Sequence, residues 1–145
     1  VTQTTLSLDD TREVIDTLKR RWATIQGPNL SDVCYATQSR QNAVQQLAKD
    51  IGLLLGVGAR NSCNSNRLRE VGEKSGLPAY LIEDVDDIDS AWFSENTRIG
   101  ITAGTSAPEA MVQKVLERLR AYGVSTVSEM EGEPENMHFR LPDSL

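Results

Sequence analysis

The chain has 145 residues, of which 39% are hydrophobic and 25% charged, a composition typical of a globular domain rather than of a disordered or fibrous chain. Fifteen Lys and Arg stand against 21 Asp and Glu, and the resulting net charge of −6 argues against binding to a nucleic-acid backbone. The longest apolar run, Ile51 to Val57, is too short to span a bilayer, and no basic and apolar leader precedes it. We therefore expect neither nucleic acid nor a membrane as a partner, and no secretion.

Cysteine usage indicates the compartment. The two cysteines, Cys34 and Cys63, are too few and too far apart in the sequence for a disulfide scaffold or a self-contained zinc site. A reducing, cytoplasmic compartment is therefore expected. The chain begins at Val1 and opens on a polar run, which suggests a piece of a longer polypeptide.

The first element is predicted to be a helix that begins at Ser7 and ends at the Gly27-Pro28 pair. A short buried strand is predicted next, over residues 32–36. Apolar residues recur at every third or fourth position of the helix: Val14, Ile15, Leu18, Trp22 and Ile25.

The second predicted helix is capped by Thr37 or Ser39. The near-continuous apolar run Ile51 to Val57 follows and is typical of a strand buried on both faces. Four apolar residues form the predicted inner face of the helix: Ala43, Val44, Leu47 and Ala48.

A second strand-to-helix unit follows. The polar residues 58–65 are predicted to form a loop, after which a helix turns Leu68 and Val71 inward and ends at Gly76. Residues 79–82 then form the next predicted strand.

The third unit contains the clearest local signal. Ile88 and Trp92 are placed on a short helix, and residues 98–102 on a strand. A capping box is predicted to open the last helix, which ends at Tyr122 before Gly123. The residues of this box are Ser106, Pro108 and Glu109.

Strands that alternate with helices of this length predict an α/β fold, with a mostly parallel sheet and helices on both of its faces. Residues 124–127 and 137–141 are predicted as closing strands. Three strand-to-helix loops share small residues followed by hydroxyls or amides, and in such folds these loops gather at the carboxyl edge of the sheet. Their positions are 35–39, 59–64 and 102–106.

Helix N-termini at that edge favour anions, so the loops predict a phosphate or diphosphate site. Ser62, Asn64 and Ser106 would hold the anion by neutral hydrogen bonds, with help from Arg60 or Arg67. For any one hydroxyl or amide taken alone, helix capping or turn formation is the simpler explanation. Neither a P-loop nor a dinucleotide fingerprint is present in the sequence.

The remaining reactive residues leave alternatives open. Cys34, at the end of a predicted strand, fits a small buried hydrophobic residue as well as a metal ligand. Cys63 fits an inert replacement for serine in a polar loop, and His138 is assigned no role.

Four segments together resemble the carboxyl-terminal half of 4-hydroxy-3-methylbut-2-enyl diphosphate reductases, the LytB-type iron–sulfur enzymes of isoprenoid synthesis. They are residues 2–7 (TQTTLS), 34–37 (CYAT), 61–68 (NSCNSNRL) and 102–108 (TAGTSAP). The similarity covers nearly the whole chain in the same order and spacing.

The resemblance implies a [4Fe–4S] cluster held by three cysteines, whose open iron takes the substrate hydroxyl. Two electrons, from a donor such as ferredoxin or flavodoxin, and loss of water then convert the allylic diphosphate substrate to isopentenyl and dimethylallyl diphosphates. This is the last step of the methylerythritol phosphate pathway.

The same resemblance assigns roles to individual residues. It implies that Cys34 is the third cluster ligand and that Thr4 assists protonation of the substrate oxygen. Substrate contacts are implied for five residues, although the position of Cys63 is commonly serine in this family and a thiol is a weaker donor. These five are Thr37, Ser62, Cys63, Asn64 and Ser106.

Under the resemblance, residues 1–30 would end a preceding α/β domain, 31–127 would form the third pseudo-repeated α/β domain, and 128–145 would be a carboxyl-terminal extension. Two further cluster cysteines, the diphosphate-binding histidines and the proton-donating glutamate belong to the family's amino-terminal half. These 145 residues are therefore expected to fold and to form part of the diphosphate site without supporting turnover.

Two other interpretations remain at this point. One is a diphosphate-binding or regulatory module without redox activity. The other is a structural half that complements a separate chain and exposes apolar surface.

Overall fold

A computed structural model describes residues 8–25, 35–94 and 96–130. Within these residues, helices and strands alternate as expected for an α/β fold. No helix in the described ranges is long and apolar enough to cross a bilayer. The helices are α1 (Leu8–Arg21), α2 (Tyr35–Leu47), α3 (Cys63–Lys74) and α4 (Glu109–Ala121), and the strands are β1 (Leu53–Val57), β2 (Ala79–Ile82) and β3 (Ile99–Ala103).

The described strands form a three-stranded parallel sheet in the order β2-β1-β3. In the register, Leu54 of β1 lies opposite Ala79 on one side and Gly100 on the other. Every residue of the central strand β1 is buried, because helices cover both faces of a parallel sheet. The predicted mostly parallel sheet is confirmed.

Side chains of β1 alternate between two layers of core. Leu54 packs with Val44 of α2 and Leu68 of α3 on one face. Leu53 and Leu55 point to the opposite face and pack with the α4 side. Helices therefore lie on both faces, as the sequence predicts.

Helix α1 is confirmed over Leu8–Arg21, but its predicted end at Gly27-Pro28 is wrong, because residues 22–25 are already outside the helix. Its apolar stripe does not join this core. Val14 is 57% exposed and Trp22 is 51% exposed. The two core layers are made instead by residues from 44 onward.

Three predictions near α2 are corrected. The strand predicted over 32–36 is wrong at Tyr35 and Ala36, which belong to α2, and residues 32–34 lie outside the described ranges. Thr37 and Ser39 accordingly lie inside the helix instead of capping it, and residues 35–39 do not form the predicted strand-to-helix loop. The buried residues Thr37, Gln41 and Val44 recur at helical spacing, so Thr37 is already part of the buried face of the helix.

Two elements are shorter than expected. The loop after β1 ends at Ser62 instead of Ser65, because Ser62 caps α3 and the helix begins at Cys63. The predicted helix with Ile88 and Trp92 is a pair of 3-10 turns, Val85–Asp87 and Ser90–Trp92. Trp92 stacks on Tyr80 with ring centroids 3.9 Å apart.

The two ends of α4 give one confirmation and one correction. The helix ends near Tyr122, and Gly123 has φ +102 as a terminating glycine requires. The capping box is wrong, because the N-cap is Pro108, whose side chain has no acceptor and makes no capping hydrogen bond.

The strand predicted over 124–127 is also wrong. The Val124 N–H donates to the Leu119 carbonyl (3.1 Å), so it closes the end of α4 instead of joining a strand ladder. The last predicted strand, 137–141, lies outside the described residues.

Candidate functional site

The loops after β1 and β3 leave the sheet side by side. The Gly104 N–H donates to the Val57 carbonyl (2.9 Å), and the Gly58 N–H donates to the Ile82 carbonyl (2.9 Å). The ladder therefore continues one residue beyond the strands at their carboxyl edge. This geometry brings residues 58–62 next to residues 104–108.

The loop after β1 is held by its own side chains. Ser62 has an extended backbone, and its Oγ accepts a hydrogen bond from the Ser65 N–H (3.3 Å). The Asn66 amide donates to the carbonyls of Arg60 (2.7 Å) and Ser62 (2.9 Å). Ser62 keeps its own O–H hydrogen available for an acceptor, since capping uses only a lone pair.

The N-terminus of α3 points its first N–H groups out of the helix. Those of Cys63 and Asn64 have no acceptor within the helix, as in the first turn of any α-helix. The helix dipole adds partial positive charge at the same place. This end of α3 therefore favours an anion.

A side-chain hydrogen bond joins the two loops. Asn64 Nδ2 lies 3.1 Å from Thr105 Oγ1, across the gap between the start of α3 and the loop before α4. Asn64 is only 7% exposed, and its Oδ1 is buried without a hydrogen-bond partner in the described part of the chain. An acceptor left in this way is unusual in a folded protein and indicates a place where a further donor or a ligand completes the arrangement.

Ser65 fills the space between the loops. Its side chain is 1% exposed, and its Oγ also has no partner among the described residues. A β-carbon on Gly58 or on Gly104 would overlap this hydroxyl, so both loops approach it at positions without side chains. Ser65 therefore sets how closely the two loops approach each other.

Ser106 is exposed at the tip of a tight turn. The Ala107 N–H donates to the Gly104 carbonyl (2.9 Å), which places Thr105 and Ser106 at the centre of that turn. Because α4 begins after Pro108, the Ser106 hydroxyl is not used for capping.

The structure describes two of the four remaining predicted site residues. Cys63 is the first residue of α3 and has a free, exposed thiol. Thr37 is buried at 4% exposure in the first turn of α2. Cys34 and Thr4 lie outside the described residues.

The sequence analysis missed Gln41, Ser65 and Thr105. Gln41 lies one helical turn after Thr37, is 6% exposed and has a buried Nε2 without a partner in the described ranges. A polar residue at helical spacing between Thr37 and Val44 is the signal that could have identified it. Ser65 and Thr105 act through tertiary contacts, which no local pattern reveals.

The two arginines expected to help bind an anion are engaged in ion pairs. Arg60 Nη2 lies 2.6 Å from Asp87 Oδ1, and Arg67 Nη1 lies 2.9 Å from Glu70 Oε2. Backbone N–H groups of Asp84 and Glu83, together with Arg60, hold the pKa of the Asp87 carboxyl below its ordinary value. Arg60 thus ties the loop after β1 to an acidic turn.

The groups that meet at this edge are neutral hydroxyls, one amide and backbone N–H groups. Their protonation does not change near neutral pH, so the arrangement is suited to binding an anion and not to transferring protons. Among the described residues, no group of three or more His, Cys, Asp or Glu is placed to hold a metal ion.

Comparison with known proteins identifies the family. Residues 1–120 match the model of the LytB protein family. The chain belongs to this family. The LytB resemblance seen in the sequence motifs is thereby confirmed.

Two curated LytB relatives are named 4-hydroxy-3-methylbut-2-enyl diphosphate reductase. The protein of Pseudomonas putida (strain W619) is 53% identical over all 145 residues, and that of Ectopseudomonas mendocina (strain ymp) is 54% identical over the same length. The chain spans 46% of the length of each relative.

Solved structures show the same LytB fold. The E-1-hydroxy-2-methyl-but-2-enyl-4-diphosphate reductase of Plasmodium falciparum is 32% identical and superposes with a TM-score of 0.75, over 81% of this chain and 37% of that one. A second structure is described as (E)-4-hydroxy-3-methyl-but-2-enyl diphosphate reductase, the terminal enzyme of the non-mevalonate pathway. It is 28% identical with a TM-score of 0.59, over 82% of this chain and 42% of that one.

Proposed function

We propose that this chain supplies part of the diphosphate site of a 4-hydroxy-3-methylbut-2-enyl diphosphate reductase. The reaction removes the substrate hydroxyl reductively and gives isopentenyl and dimethylallyl diphosphates. The names of the relatives support the activity. The observation that supports the placement is the Asn64 to Thr105 hydrogen bond, which joins the start of α3 to the turn bearing Ser106.

In this proposal the anion lies between the two loops. Ser62 and Ser106 donate their hydroxyl hydrogens to diphosphate oxygens, and Asn64 donates from its amide. Backbone N–H groups of Cys63 and Asn64 add donors at the α3 N-terminus. These contacts are directional, so they fix the orientation of the diphosphate as well as contributing to its affinity.

Two further contacts complete the proposed substrate site. Cys63 contributes mainly through its backbone N–H, since a thiol is a weak donor. Thr37 contributes from the first turn of α2, three residues after Cys34 in the sequence. Thr4 is proposed to assist protonation of the substrate oxygen.

The residues of this chain do not by themselves fit a complete iron–sulfur cluster. The family resemblance implies three cysteine ligands, whereas the chain has Cys34 and Cys63, and Cys63 is exposed at the anion end of α3. We assign Cys34 as one ligand of a [4Fe–4S] cluster, with the other ligands outside these 145 residues.

The remaining assignments follow from the same proposal. The electron donor is a protein of the ferredoxin or flavodoxin class, and the reducing cytoplasm is the compartment that suits free thiols and a cluster. Residues 31–127 form the α/β domain of the site, 1–30 end the preceding domain, and 128–145 form an extension.

Calorimetric titration of the intact protein with isopentenyl diphosphate tests the anion site. Asn64→Ala and Ser106→Ala should each weaken binding about 5- to 150-fold, the effect of losing a hydrogen bond of about 1–3 kcal/mol to a charged group. Ser125→Ala is the control, because Ser125 is exposed and follows the carboxyl end of α4. The length of α4 separates that end from the candidate site by about 20 Å. Unchanged affinity in both site variants would contradict the proposed site.

Iron and acid-labile sulfide content, measured after anaerobic purification of the intact protein, tests the cluster. Cys34→Ser should lower both, whereas Cys63→Ser, a matched change at the other cysteine, should leave both unchanged. Full cluster content in Cys34→Ser would remove Cys34 from the ligand set. A wild-type protein without iron would instead indicate a diphosphate-binding module without redox activity.

A further inference from the structure

The side-chain amide of Asn64 has two orientations that fit equally well in space. Its nitrogen and oxygen are nearly identical in size, so exchanging them changes the hydrogen bonds but not the packing. In the orientation described above, Nδ2 donates to Thr105 Oγ1 (3.1 Å), and Oδ1 is buried without a partner in the described part of the chain.

In this orientation Nδ2 uses one of its two N–H groups on Thr105, and the buried position of Oδ1 offers an acceptor instead of a donor. A carbonyl oxygen and a phosphate oxygen are both acceptors, so Asn64 Oδ1 cannot bond to a diphosphate. The reversed orientation removes the conflict, because the amide N–H groups then occupy the buried position that Oδ1 holds.

Thr105 can accommodate both orientations. A hydroxyl is a donor and an acceptor, so Thr105 Oγ1 can accept from Nδ2 or donate to Oδ1 over the same distance. The neighbouring Gly104 and Ala107 close the turn by a backbone hydrogen bond (2.9 Å), which keeps the Thr105 backbone in place during this exchange.

We propose that Thr105 is a positioning residue that orients the Asn64 amide, accepting its hydrogen bond in the free protein and donating to it when a diphosphate binds. This inference rests on the proposed diphosphate site. Thr105 itself does not touch the anion and acts through Asn64 alone.

Thr105→Val and Thr105→Ser form the matched pair that tests this role. Valine keeps the shape of threonine and lacks the hydroxyl, and Thr105 is exposed, so the fold should tolerate the change. Thr105→Val should weaken binding of isopentenyl diphosphate about 3- to 10-fold, the effect of one neutral hydrogen bond. Thr105→Ser, which restores the hydroxyl, should bind within about twofold of the wild type.

A double-mutant cycle with Asn64→Ala distinguishes positioning from direct contact. If Thr105 acts through Asn64, adding Thr105→Val to Asn64→Ala should change affinity by less than about twofold. A further loss as large as in the wild-type background would mean that Thr105 contacts the anion itself, which contradicts the inference. Titration with inorganic pyrophosphate should give the same pattern, because the effect concerns the diphosphate.

The outcomes separate this inference from the proposed function. Wild-type affinity in Thr105→Val, together with weakened binding in Asn64→Ala, would overturn the role of Thr105 and leave the diphosphate site standing. Wild-type affinity in Asn64→Ala and Ser106→Ala would instead contradict the site. Thermal unfolding of each variant checks its fold, and Thr105→Ala is a second hydroxyl-free variant if the valine protein is unstable.

Discussion

The loops after β1 and β3 have similar sequences but different roles in the structure. Both leave the same edge of the sheet, and both begin with glycine and continue through small or polar residues. Ser62 of the first loop caps α3, and Asn66 braces the same loop with two hydrogen bonds. Ser106 of the second loop is exposed at a turn and caps no helix.

Because only Ser62 caps a helix, substitutions of the two serines should affect stability and binding differently. Ser62 contributes to the folded structure and is also proposed to bind the anion, so its substitution should affect both stability and affinity. Ser106 caps no helix and has only the proposed binding role, so its substitution should affect affinity alone. A composition of small residues and hydroxyls therefore identifies a loop at the sheet edge without revealing which hydroxyls are used internally.

Closing the space around Ser65 should have the largest effect on the fold. Gly104→Ala and Gly58→Ala should each lower the free energy of unfolding by about 1–3 kcal/mol, as overpacking does, in chemical denaturation of the intact protein. Ser65→Ala should rescue Gly104→Ala, because the Ser65 hydroxyl is the main obstacle there.

Gly58→Ala is the matched control for that rescue. Its β-carbon would also lie 2.9 Å from Ser65 Cβ, and Gly58 has φ +155, so removing the hydroxyl should restore little stability. Equal rescue of both glycine variants, or of neither, would contradict the role assigned to Ser65.

Removing the α3 cap should have the next largest effect. Ser62→Ala should lower the free energy of unfolding by about 1 kcal/mol, because the Ser65 N–H loses its acceptor. The same variant should also bind isopentenyl diphosphate more weakly. Ser62→Asp keeps a capping acceptor and should retain stability while placing a negative charge beside the anion, so a loss of binding without a loss of stability is expected.

The link between Arg60 and Asp87 should contribute less, because it is partly exposed. Its side chains are 66% and 23% exposed, and Asp87→Asn should lower the free energy of unfolding by less than about 1 kcal/mol at neutral pH. The folded state lowers the Asp87 pKa, so the contribution is present above the unfolded value of about 3.9.

The pH dependence of this contribution checks its origin. The stability difference between wild type and Asp87→Asn should shrink as the pH falls below about 4 toward the lowered folded pKa, since both states of the wild type then bind the proton. Denaturation curves at a series of acidic pH values measure it. A difference that stays constant through this range would show that the charge of Asp87 is not its source.

Ser106→Ala should have the smallest effect on the fold. The residue is exposed and caps no helix, so the free energy of unfolding should change by less than about 0.5 kcal/mol. A loss as large as that of Ser62→Ala would mean that the two loops do not differ in the way described.

Local sequence signals predicted the central part of the fold. The apolar run around β1 and the glycine that follows α4 depend on neighbours in the sequence, and both features are found. The capping box at Ser106 failed because the same residues also suit a turn, and the turn is formed instead. Val124 bonds back to Leu119, so its β-branched neighbours do not form a strand.

The polar residues of the candidate site could be predicted from the sequence, whereas the contacts that support them could not. Ser62, Asn64 and Ser106 are recognisable as polar residues that follow strands. The Asn64 to Thr105 bond joins positions 41 residues apart, and the packing of Ser65 against Gly104 joins the same two loops. Such contacts depend on strand order, which the sequence pattern does not specify.

A crystal structure of the intact protein with isopentenyl diphosphate tests the central claim most directly. We predict diphosphate oxygens within hydrogen-bond distance of Ser106 Oγ and of the Asn64 amide nitrogen, with Thr105 Oγ1 on the carbonyl side of Asn64. A diphosphate bound elsewhere, with the two loops unoccupied, would contradict the assignment of this edge of the sheet as the anion site.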